Sequence, residues 1–232
     1  MNRRMPPSPI PGEGFYLRAV IAANGVLTDH QDISSLITPD DLVIAADGGA
    51  SHLIASEIWP QVVVGDLDSL TGDLVAALAD HGARFIEYPR DKDQTDLELA
   101  LHYAVSQNVQ EVLLIGLIGG RLDQTLSNLL VLTKPEWSSA RLIVRNGPDT
   151  AYLMRDRDEI VLDGSPGDIV SLIPLSGIVS GINTVGLHWP LENASLELGT
   201  TLGISNELDS RHGRVSIRTG TMLLVHREKH VH

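Results

Sequence analysis

The sequence predicts two domains, an N-terminal α/β domain with a parallel sheet and a C-terminal all-β domain. Short apolar runs alternate with helical patterns over the first two-thirds of the chain. Such runs between helices are typical of a parallel sheet covered on both faces. After about Gly147 the helical patterns stop, and short alternating segments separated by Gly, Pro and Asn follow. With 232 residues, of which 43% are hydrophobic, the chain is long enough to bury a sizeable core.

Six apolar runs predict the strands of the first domain: Leu17–Ala23, Leu42–Ala46, Gln61–Val64, Arg84–Tyr88, Val112–Leu117 and Arg141–Arg145. Helices are predicted between them, at 49–58, 69–80, 95–107 and 122–133. The clearest helix start is Thr95, because Glu98 follows three residues later and completes a capping box. The helix at 69–80 is expected to end at His81-Gly82, a left-handed cap.

The second domain is predicted from five alternating segments: Glu159–Leu162, Asp168–Pro174, Ser195–Leu198, Arg214–Arg218 and Met222–His226. Several short strands separated by turn residues favour a β-sandwich. We place the boundary at Asn146-Gly147-Pro148. This gives a Rossmann-like α/β domain over residues 15–147 and a β-sandwich over residues 148–232.

The composition excludes several classes of protein. With 17 Lys and Arg against 30 Asp and Glu, the net charge of −13 disfavours a nucleic-acid partner. The longest apolar run, Val112–Ile118, is far shorter than the roughly 18–20 residues of a transmembrane helix. The Pro-rich start has no apolar stretch typical of a signal peptide, and the absence of Cys removes thiolate chemistry. We expect a soluble cytoplasmic protein with no membrane partner.

Polar clusters of the first domain fall where the predicted strands end. In an open parallel sheet, ligands bind outside the carboxyl ends of the strands. The clusters are Asn24-Gly25, Asp47-Gly48-Gly49, Asp66-Leu67-Asp68, the run 90–96 and Gly119-Gly120-Arg121. The sequence therefore predicts a ligand site at this edge of the sheet.

Asp66 and Asp68 are the strongest candidates for metal ligands. In an extended turn, residues i and i+2 point the same way, and two carboxylates with water and phosphate oxygens suit Mg²⁺. A helix N-cap at Asp68 is the structural alternative, but the neighbouring acidic clusters favour a metal. The helix dipole alone would explain why Asp96 lies in the first turn of its helix. The functional alternative is that Asp96 shares the metal with Asp66 and Asp68 or orients an attacking hydroxyl.

Lys92 and Arg121 are the expected phosphate-facing cations, although surface charge is the usual role of both residue types. Three roles are open for Asp123: it caps its helix, holds Arg121 in place, or joins the carboxylates that hold the metal. Asp47-Gly48-Gly49 alone is a strand-to-helix turn, but its glycines also permit close approach of a ligand.

Several motifs of known chemistry are absent from the sequence. It contains no Walker A loop, no G-x-G-x-x-G after the first strand, no H-E-x-x-H and no G-x-S-x-G. The tail residues His226, His230 and His232 are expected to be exposed rather than metal ligands.

One polar segment, 199–208, stands out in the second domain. It forms a hairpin corner, or Ser205 and Asn206 hydrogen-bond a small polar heterocycle. Trp189 stacks on a ring or cation, or belongs to the core.

Five motifs in this order resemble the thiamine pyrophosphokinase family: Asp-Gly-Gly-Ala from 47, Gly-Asp-Leu-Asp-Ser from 65, Lys-Asp-Gln-Thr-Asp-Leu-Glu-Leu-Ala from 92, Gly-Gly-Arg-Leu-Asp-Gln from 119 and Gly-Ile-Ser-Asn-Glu from 203. The resemblance implies an α/β domain followed by a β-sandwich, and a homodimer with active sites between subunits. It also implies transfer of the pyrophosphoryl group of MgATP to the hydroxyl of thiamine, giving thiamine diphosphate and AMP. The alternatives are a non-catalytic nucleotide- or thiamine-binding module and a Mg-dependent phosphohydrolase.

The resemblance also implies a role for particular residues. The acidic Mg–ATP positions are Asp47, Asp66, Asp68 and Asp96, of which the last three are expected to hold Mg²⁺ and, with Arg121, to be catalytic. Positions around the ATP phosphates are Asp47, Lys92, Arg121, Asp123 and Gln124. Ser205 and Asn206 match the thiamine-binding segment, and Trp189 is a looser match for an aromatic residue that stacks on thiamine.

Overall fold

The computed structural model describes residues 17–27 and 33–229. The chain divides into two units, the first ending at Leu142 and the second beginning at Ile143. The boundary expected at 147/148 lies in the turn of a hairpin in the second unit, where Gly147 has a φ of 57°. The Pro-rich start, His230 and His232 lie outside the described residues. Each described helix is too short or too polar to cross a bilayer.

The first unit contains a parallel sheet, as the sequence predicts, with five of the six predicted strands. The sixth, predicted at Arg141–Arg145, lies mostly in the second unit and pairs antiparallel with the strand that follows it. The strands of the first unit are β1 (Arg18–Ala22), β2 (Leu42–Ala46), β3 (Val62–Gly65), β4 (Arg84–Glu87) and β5 (Glu111–Ile115). Their order is β5-β1-β2-β3-β4, and every neighbouring pair is parallel. All five residues of β2 are buried, which is the pattern expected of a strand covered on both faces.

The helices of the first unit are α1 (Ile33–Leu36), α2 (Gly49–Ala55), α3 (Gly72–Asp80), α4 (Asp96–Ser106) and α5 (Leu122–Val131), followed by a 3-10 turn at Pro135–Trp137. Helix α4 packs on β1, β2 and β3, and α2 packs on β1 and β2. The sequence predicts the four longer helices; α1 and the 3-10 turn are too short to show a periodic pattern.

The ends of two helices test the predicted caps. The Thr95 hydroxyl accepts a hydrogen bond from the Glu98 amide at 3.2 Å, as predicted. The Glu98 carboxylate instead accepts from Lys134 Nζ at 2.5 Å, so half of the capping box forms. Helix α3 is capped by Thr71, which excludes Asp68 as its cap, and it ends at His81 before Gly82 with φ of 81°.

The second unit is an antiparallel sandwich. Its strands are β6 (Arg141–Asn146), β7 (Asp149–Met154), β8 (Glu159–Asp163), β9 (Ile169–Pro174), β10 (Ile178–Val185), β11 (Ala194–Glu197), β12 (Asn206–Glu207), β13 (His212–Ser216) and β14 (Met222–Arg227). They form two sheets, in the orders β12-β9-β14-β7-β6 and β11-β10-β13-β8. One apolar core contains side chains from both sheets, among them Leu172, Leu224, Ile182 and Val215. The predicted β-sandwich is confirmed.

His226 is buried, so the expectation that it would be exposed was wrong. Its side chain is 7% exposed, and its Nε2 lies 3.0 Å from Asp168 Oδ2. Residues 222 and 224 of β14 are fully buried. Because side chains alternate along a strand, the same two-residue period carries His226 to the buried face.

Candidate functional site

Three carboxylates converge at the carboxyl ends of two neighbouring strands. Asp47 directly follows β2, and Asp66 and Asp68 follow β3. One possible ligand atom of each lies within 4.8 Å of those of the other two. We call these three residues the acidic group. Carboxylate oxygens at this spacing can share one divalent cation.

Two residues with a left-handed backbone conformation direct these side chains toward one another. Asp47 has a φ of 44°, and Leu67, between the other two aspartates, has a φ of 62°. The Asp66 Oδ1 accepts a hydrogen bond from the Asp68 amide at 3.2 Å, which closes a local turn. The convergence therefore comes from this turn and not from the extended backbone that the sequence predicts.

Asp47 carries the most informative oxygen of the acidic group. The residue is 7% exposed, and among the described residues its buried Oδ1 has no hydrogen-bond partner. A buried carboxylate oxygen without a partner is costly, and such groups in proteins are paired or coordinate a metal. This atom therefore indicates a place for a cation.

Asp96 is linked to the acidic group through Lys92. The Lys92 ammonium lies 2.8 Å from Asp96 Oδ1 and 3.4 Å from Asp66 Oδ2. The Lys92 side chain is 13% exposed, so this cation lies inside the site. Asp96 Oδ1 is buried and, despite the close ammonium, has no hydrogen bond of regular geometry with any residue that the structure describes.

Burial, hydrogen bonds and neighbouring charges shift the pKa values of three residues in the site. The hydrogen bond from the Asp68 amide, together with the charge of Lys92, lowers the pKa of Asp66. Burial raises the pKa of Asp96, and the negative charges of Asp47 and Asp66 add to the effect. Burial alone would lower the Lys92 pKa, but its pairs with Asp96 and Asp66 outweigh it and raise that pKa. Lys92 is therefore charged at neutral pH.

The glycines after β2 serve the packing of the chain itself. A Cβ on Gly48 would lie 2.4 Å from Asn24 Nδ2, and one on Gly49 would lie 2.0 Å from the carbonyl oxygen of Ala22. Both glycines therefore let the start of α2 lie against the end of β1. Their presence is explained without a ligand.

Arg121, Asp123 and Gln124 form a second, exposed group at the start of α5. The Arg121 guanidinium donates to both Asp123 oxygens, at 3.1 and 2.5 Å. This pairing lowers the pKa of Asp123 and raises that of Arg121. Of the three roles considered for Asp123, contact with Arg121 is therefore the one observed. Among the described residues, no hydrogen bond or ion pair joins this group to the acidic group.

Arg90 was missed by the sequence reasoning. Its Nε lies 3.7 Å from Asp68 Oδ2, and its side chain is 83% exposed. The available signal was its position in the same charged run as Lys92, at the end of β4. An exposed guanidinium beside the acidic group is free to contact a phosphate.

The candidate thiamine residues of the second unit lie close together. Trp189 is 57% exposed, which excludes it from the core. The Asn206 side chain hydrogen-bonds both the amide and the carbonyl of Trp189, at 3.1 and 2.7 Å. Ser205 is exposed with φ of 61°, and its amide donates to Ser171 Oγ at 3.1 Å.

Comparison with known proteins assigns both parts of the chain. Residues 33–144 match the model of the thiamin pyrophosphokinase catalytic domain, and residues 158–224 match that of its vitamin B1 binding domain. The chain belongs to the thiamine pyrophosphokinase family. Thiamine pyrophosphokinase from Bacillus subtilis is 27% identical over 205 residues, covering 88% of this chain and 96% of the relative. Thiamine pyrophosphokinase 1 from Arabidopsis thaliana is 28% identical over 189 residues, covering 71% and 70%.

The fold agrees with that of a solved member of the family. The crystal structure of the Bacillus subtilis enzyme superposes with a TM-score of 0.82 at 26% identity, covering 92% of this chain and 100% of that one. As a thiamine pyrophosphokinase, the protein transfers a pyrophosphoryl group from ATP to thiamine. The family therefore favours transfer over the binding module and the phosphohydrolase that the sequence left as alternatives.

Proposed function

We propose that the acidic group holds Mg²⁺ and that pyrophosphoryl transfer takes place at this edge of the sheet. The observation that carries the proposal is the buried, unpartnered Oδ1 of Asp47 beside Asp66 and Asp68. The donor set fits, because Mg²⁺ prefers carboxylate, phosphate and water oxygens. When bound, the ion would neutralise charge on the phosphate oxygens of ATP.

The reaction makes one bond to phosphorus and breaks another. The thiamine hydroxyl oxygen attacks the β-phosphorus of ATP, and the bond from that phosphorus to the bridging oxygen of the α-phosphate breaks. The hydroxyl proton passes to solvent water, and AMP leaves with the bridging oxygen. Charge grows on the phosphates and on AMP, so positioning and positive charge supply most of the catalysis.

We assign the residues of the first unit to ATP. Lys92, Arg121, Asp123 and Gln124 are proposed to surround the phosphates, with Arg121 stabilising the transition state. Asp96 is proposed to join Asp66 and Asp68 on the metal or to orient the thiamine hydroxyl. In either role, the ion pair with Lys92 opposes protonation of Asp96. The first unit, which ends at Leu142, is the ATP-binding domain in this proposal.

We assign thiamine to the second unit, which begins at Ile143. Ser205, Asn206 and Trp189 are proposed to form its binding segment, and the exposed indole suits a flat, cationic ring. The proposed location in the cell is the cytoplasm, which fractionation with a tagged chain would test.

A homodimer is also part of the proposal. Helix α5 has no buried residue, and Leu122, Leu126 and Leu130 are 74%, 51% and 54% exposed. Residues four apart lie on one face of a helix, so these leucines form an apolar stripe. A second copy of the chain is proposed to cover it, and the active sites are proposed to lie between the subunits.

Asparagine variants of the acidic group test the metal proposal. Asp66→Asn and Asp68→Asn should each lower the rate of AMP and thiamine diphosphate formation roughly a hundredfold or more, because each removes a charge from the metal site. Mn²⁺ binding, followed by electron paramagnetic resonance, should weaken in parallel. Asp80 is an exposed carboxylate at the end of α3. Asp80→Asn is the matched control and should leave the reaction rate and Mn²⁺ binding unchanged. Near-normal turnover and Mn²⁺ binding in the first two variants would contradict the proposal.

A further inference from the structure

The Asn206 side chain is used by the protein itself. Its Oδ1 accepts hydrogen bonds from the amides of Trp189, at 3.1 Å, and Glu207, at 2.9 Å. Its Nδ2 donates to the Trp189 carbonyl at 2.7 Å. A carboxamide offers two acceptor sites and two N–H donors. Three of the four are occupied, so one N–H remains for any ligand.

These contacts continue a backbone ladder beyond its end. Leu187 and Leu208 form an antiparallel bridge, and the His188 amide donates to the Glu207 carbonyl at 2.9 Å. The next position opposite Trp189 is Asn206, whose backbone pairs instead with Val170 of β9. The Asn206 side chain therefore supplies the donor and the acceptor that a strand partner would have given to Trp189.

The indole is also supported from the side by His188. The two rings meet edge to face, with centroids 4.6 Å apart and planes at 90°. The Nδ1 of His188 lies 3.1 Å from Asp209 Oδ1, which fixes the imidazole. With its backbone held and one edge supported, the exposed indole is a preorganised surface for stacking.

We infer that Asn206 is a positioning residue that holds the Trp189 backbone, and that it acts on thiamine through the indole. This inference rests on the proposed role of Trp189 in thiamine binding. It gives Asn206 a different task from that of Ser205, whose exposed hydroxyl makes no hydrogen bond within the described part of the chain.

A double-mutant cycle distinguishes positioning from direct contact. Asn206→Ala and Trp189→Ala should each raise the KM for thiamine about tenfold, with little change in the KM for ATP. In the Trp189→Ala background, Asn206→Ala should add less than a twofold effect, because the residue through which it acts is gone. A direct contact of Asn206 with thiamine would instead make the two effects multiply. That result, or an unchanged KM in Asn206→Ala, would overturn the inference.

A second variant tests the hydrogen-bond pattern itself. Asn206→Asp keeps the shape and the acceptor but replaces the donor to the Trp189 carbonyl by a charged oxygen. It should raise the KM for thiamine at least as much as Asn206→Ala. We call the three hydrogen bonds of the Asn206 side chain, to Trp189 and Glu207, the clamp. If one acceptor were sufficient to hold Trp189, Asn206→Asp would behave as wild type, and the clamp would be refuted.

Indole fluorescence separates failure of this inference from failure of the thiamine assignment. Loss of the clamp should increase acrylamide quenching of Trp189, measured as the difference between each protein and its Trp189→Phe variant. Unchanged quenching in Asn206→Ala would refute the clamp. If Asn206→Ala increased quenching but Trp189→Ala left the KM for thiamine unchanged, Asn206 would still hold Trp189, and the assignment of Trp189 to thiamine would be wrong.

Discussion

Gly65 shows how a single backbone position holds two carboxylates in place. It ends β3 with a φ of 153°. A Cβ here would lie 3.0 Å from Asp47 Cβ and 3.1 Å from Asp96 Oδ1. Gly65→Ala should therefore displace both side chains and lower kcat more than tenfold, while backbone strain costs about 1–3 kcal/mol of stability. Steady-state kinetics and urea unfolding of the same preparation measure the two effects.

Gly72→Ala is the matched control for that substitution. Gly72 has open space where its Cβ would be and no positive φ. The extra methyl group should leave kcat unchanged and raise the free energy of unfolding by about 0.4–1 kcal/mol. Equal kcat values for the two alanine variants would show that the carboxylates do not depend on Gly65.

The sequence predicts which residue types gather at the site better than it predicts how they meet. The strand ends identify the acidic residues and Lys92, but the ion pair between Lys92 and Asp96 was not predicted. The sequence does not predict that Asp47, rather than Asp96, is the third member of the acidic group. This arrangement depends on left-handed turns at Asp47 and Leu67, which non-glycine residues adopt only in particular tertiary surroundings.

At the scale of elements, a buried contact between Asp168 and His226 links two strands of the second unit. The Asp168 carboxylate, just before β9, accepts from the amides of Ser165 and Lys229 and lies beside His226 of β14. Burial alone would raise the pKa of Asp168, but these hydrogen bonds outweigh it and lower the pKa. The charged carboxylate therefore stabilises the fold above the ordinary Asp pKa. That stability is lost as the pH falls through the lower pKa of the folded state.

Asp168→Asn should lower the free energy of unfolding by about 2–4 kcal/mol at pH 7. The deficit should shrink as the pH falls from about 4, the ordinary Asp pKa of the unfolded chain, toward the lower pKa of the folded state. Urea unfolding between pH 3 and 7 measures this dependence. The exposed pair of Asp163 and His212 offers the control, since Asp163→Asn should cost less than about 1 kcal/mol. If the loss of unfolding free energy in Asp168→Asn did not change with pH, the charged Asp168 carboxylate would not be the source of this stability.

Three strands of the second unit were not predicted: β7, β10 and β12, of which the last two have irregular or very short geometry. Strand β10 was missed because its register shifts between Ser180 and Ile182, around Gly181, which has a φ of 66°. The shift interrupts the alternation on which the strand prediction depends. Strand β12 has only two residues, too few for any period. By contrast, α5 was predicted from apolar spacing, although its leucines do not pack in the core of the described chain.

At the scale of the whole molecule, an acidic protein must still bind the polyanion ATP. The net charge of −13 opposes this at long range. Lys92 inside the site, with Arg90 and Arg121 exposed in the first unit, supplies positive charge locally. In the proposed site, these groups and a divalent cation would make ATP binding a property of the site rather than of the molecular charge. Affinity for ATP should therefore depend on the site's own residues more than on substitutions of distant surface charges.

The proposed dimer predicts recovery of activity when two impaired variants are mixed and assayed at a thiamine concentration well below the wild-type KM. Asp66→Asn removes a metal-site charge, and Trp189→Ala removes the thiamine surface of the second unit. If each active site combines these parts from different subunits, a mixed dimer contains one intact site. Random exchange of equal amounts should then restore about a quarter of wild-type turnover. Adding Leu126→Glu to both chains should abolish the recovery and shift the sedimentation coefficient to that of a monomer, because a charge interrupts the α5 stripe. Exchange without recovery would instead place each complete site within one subunit.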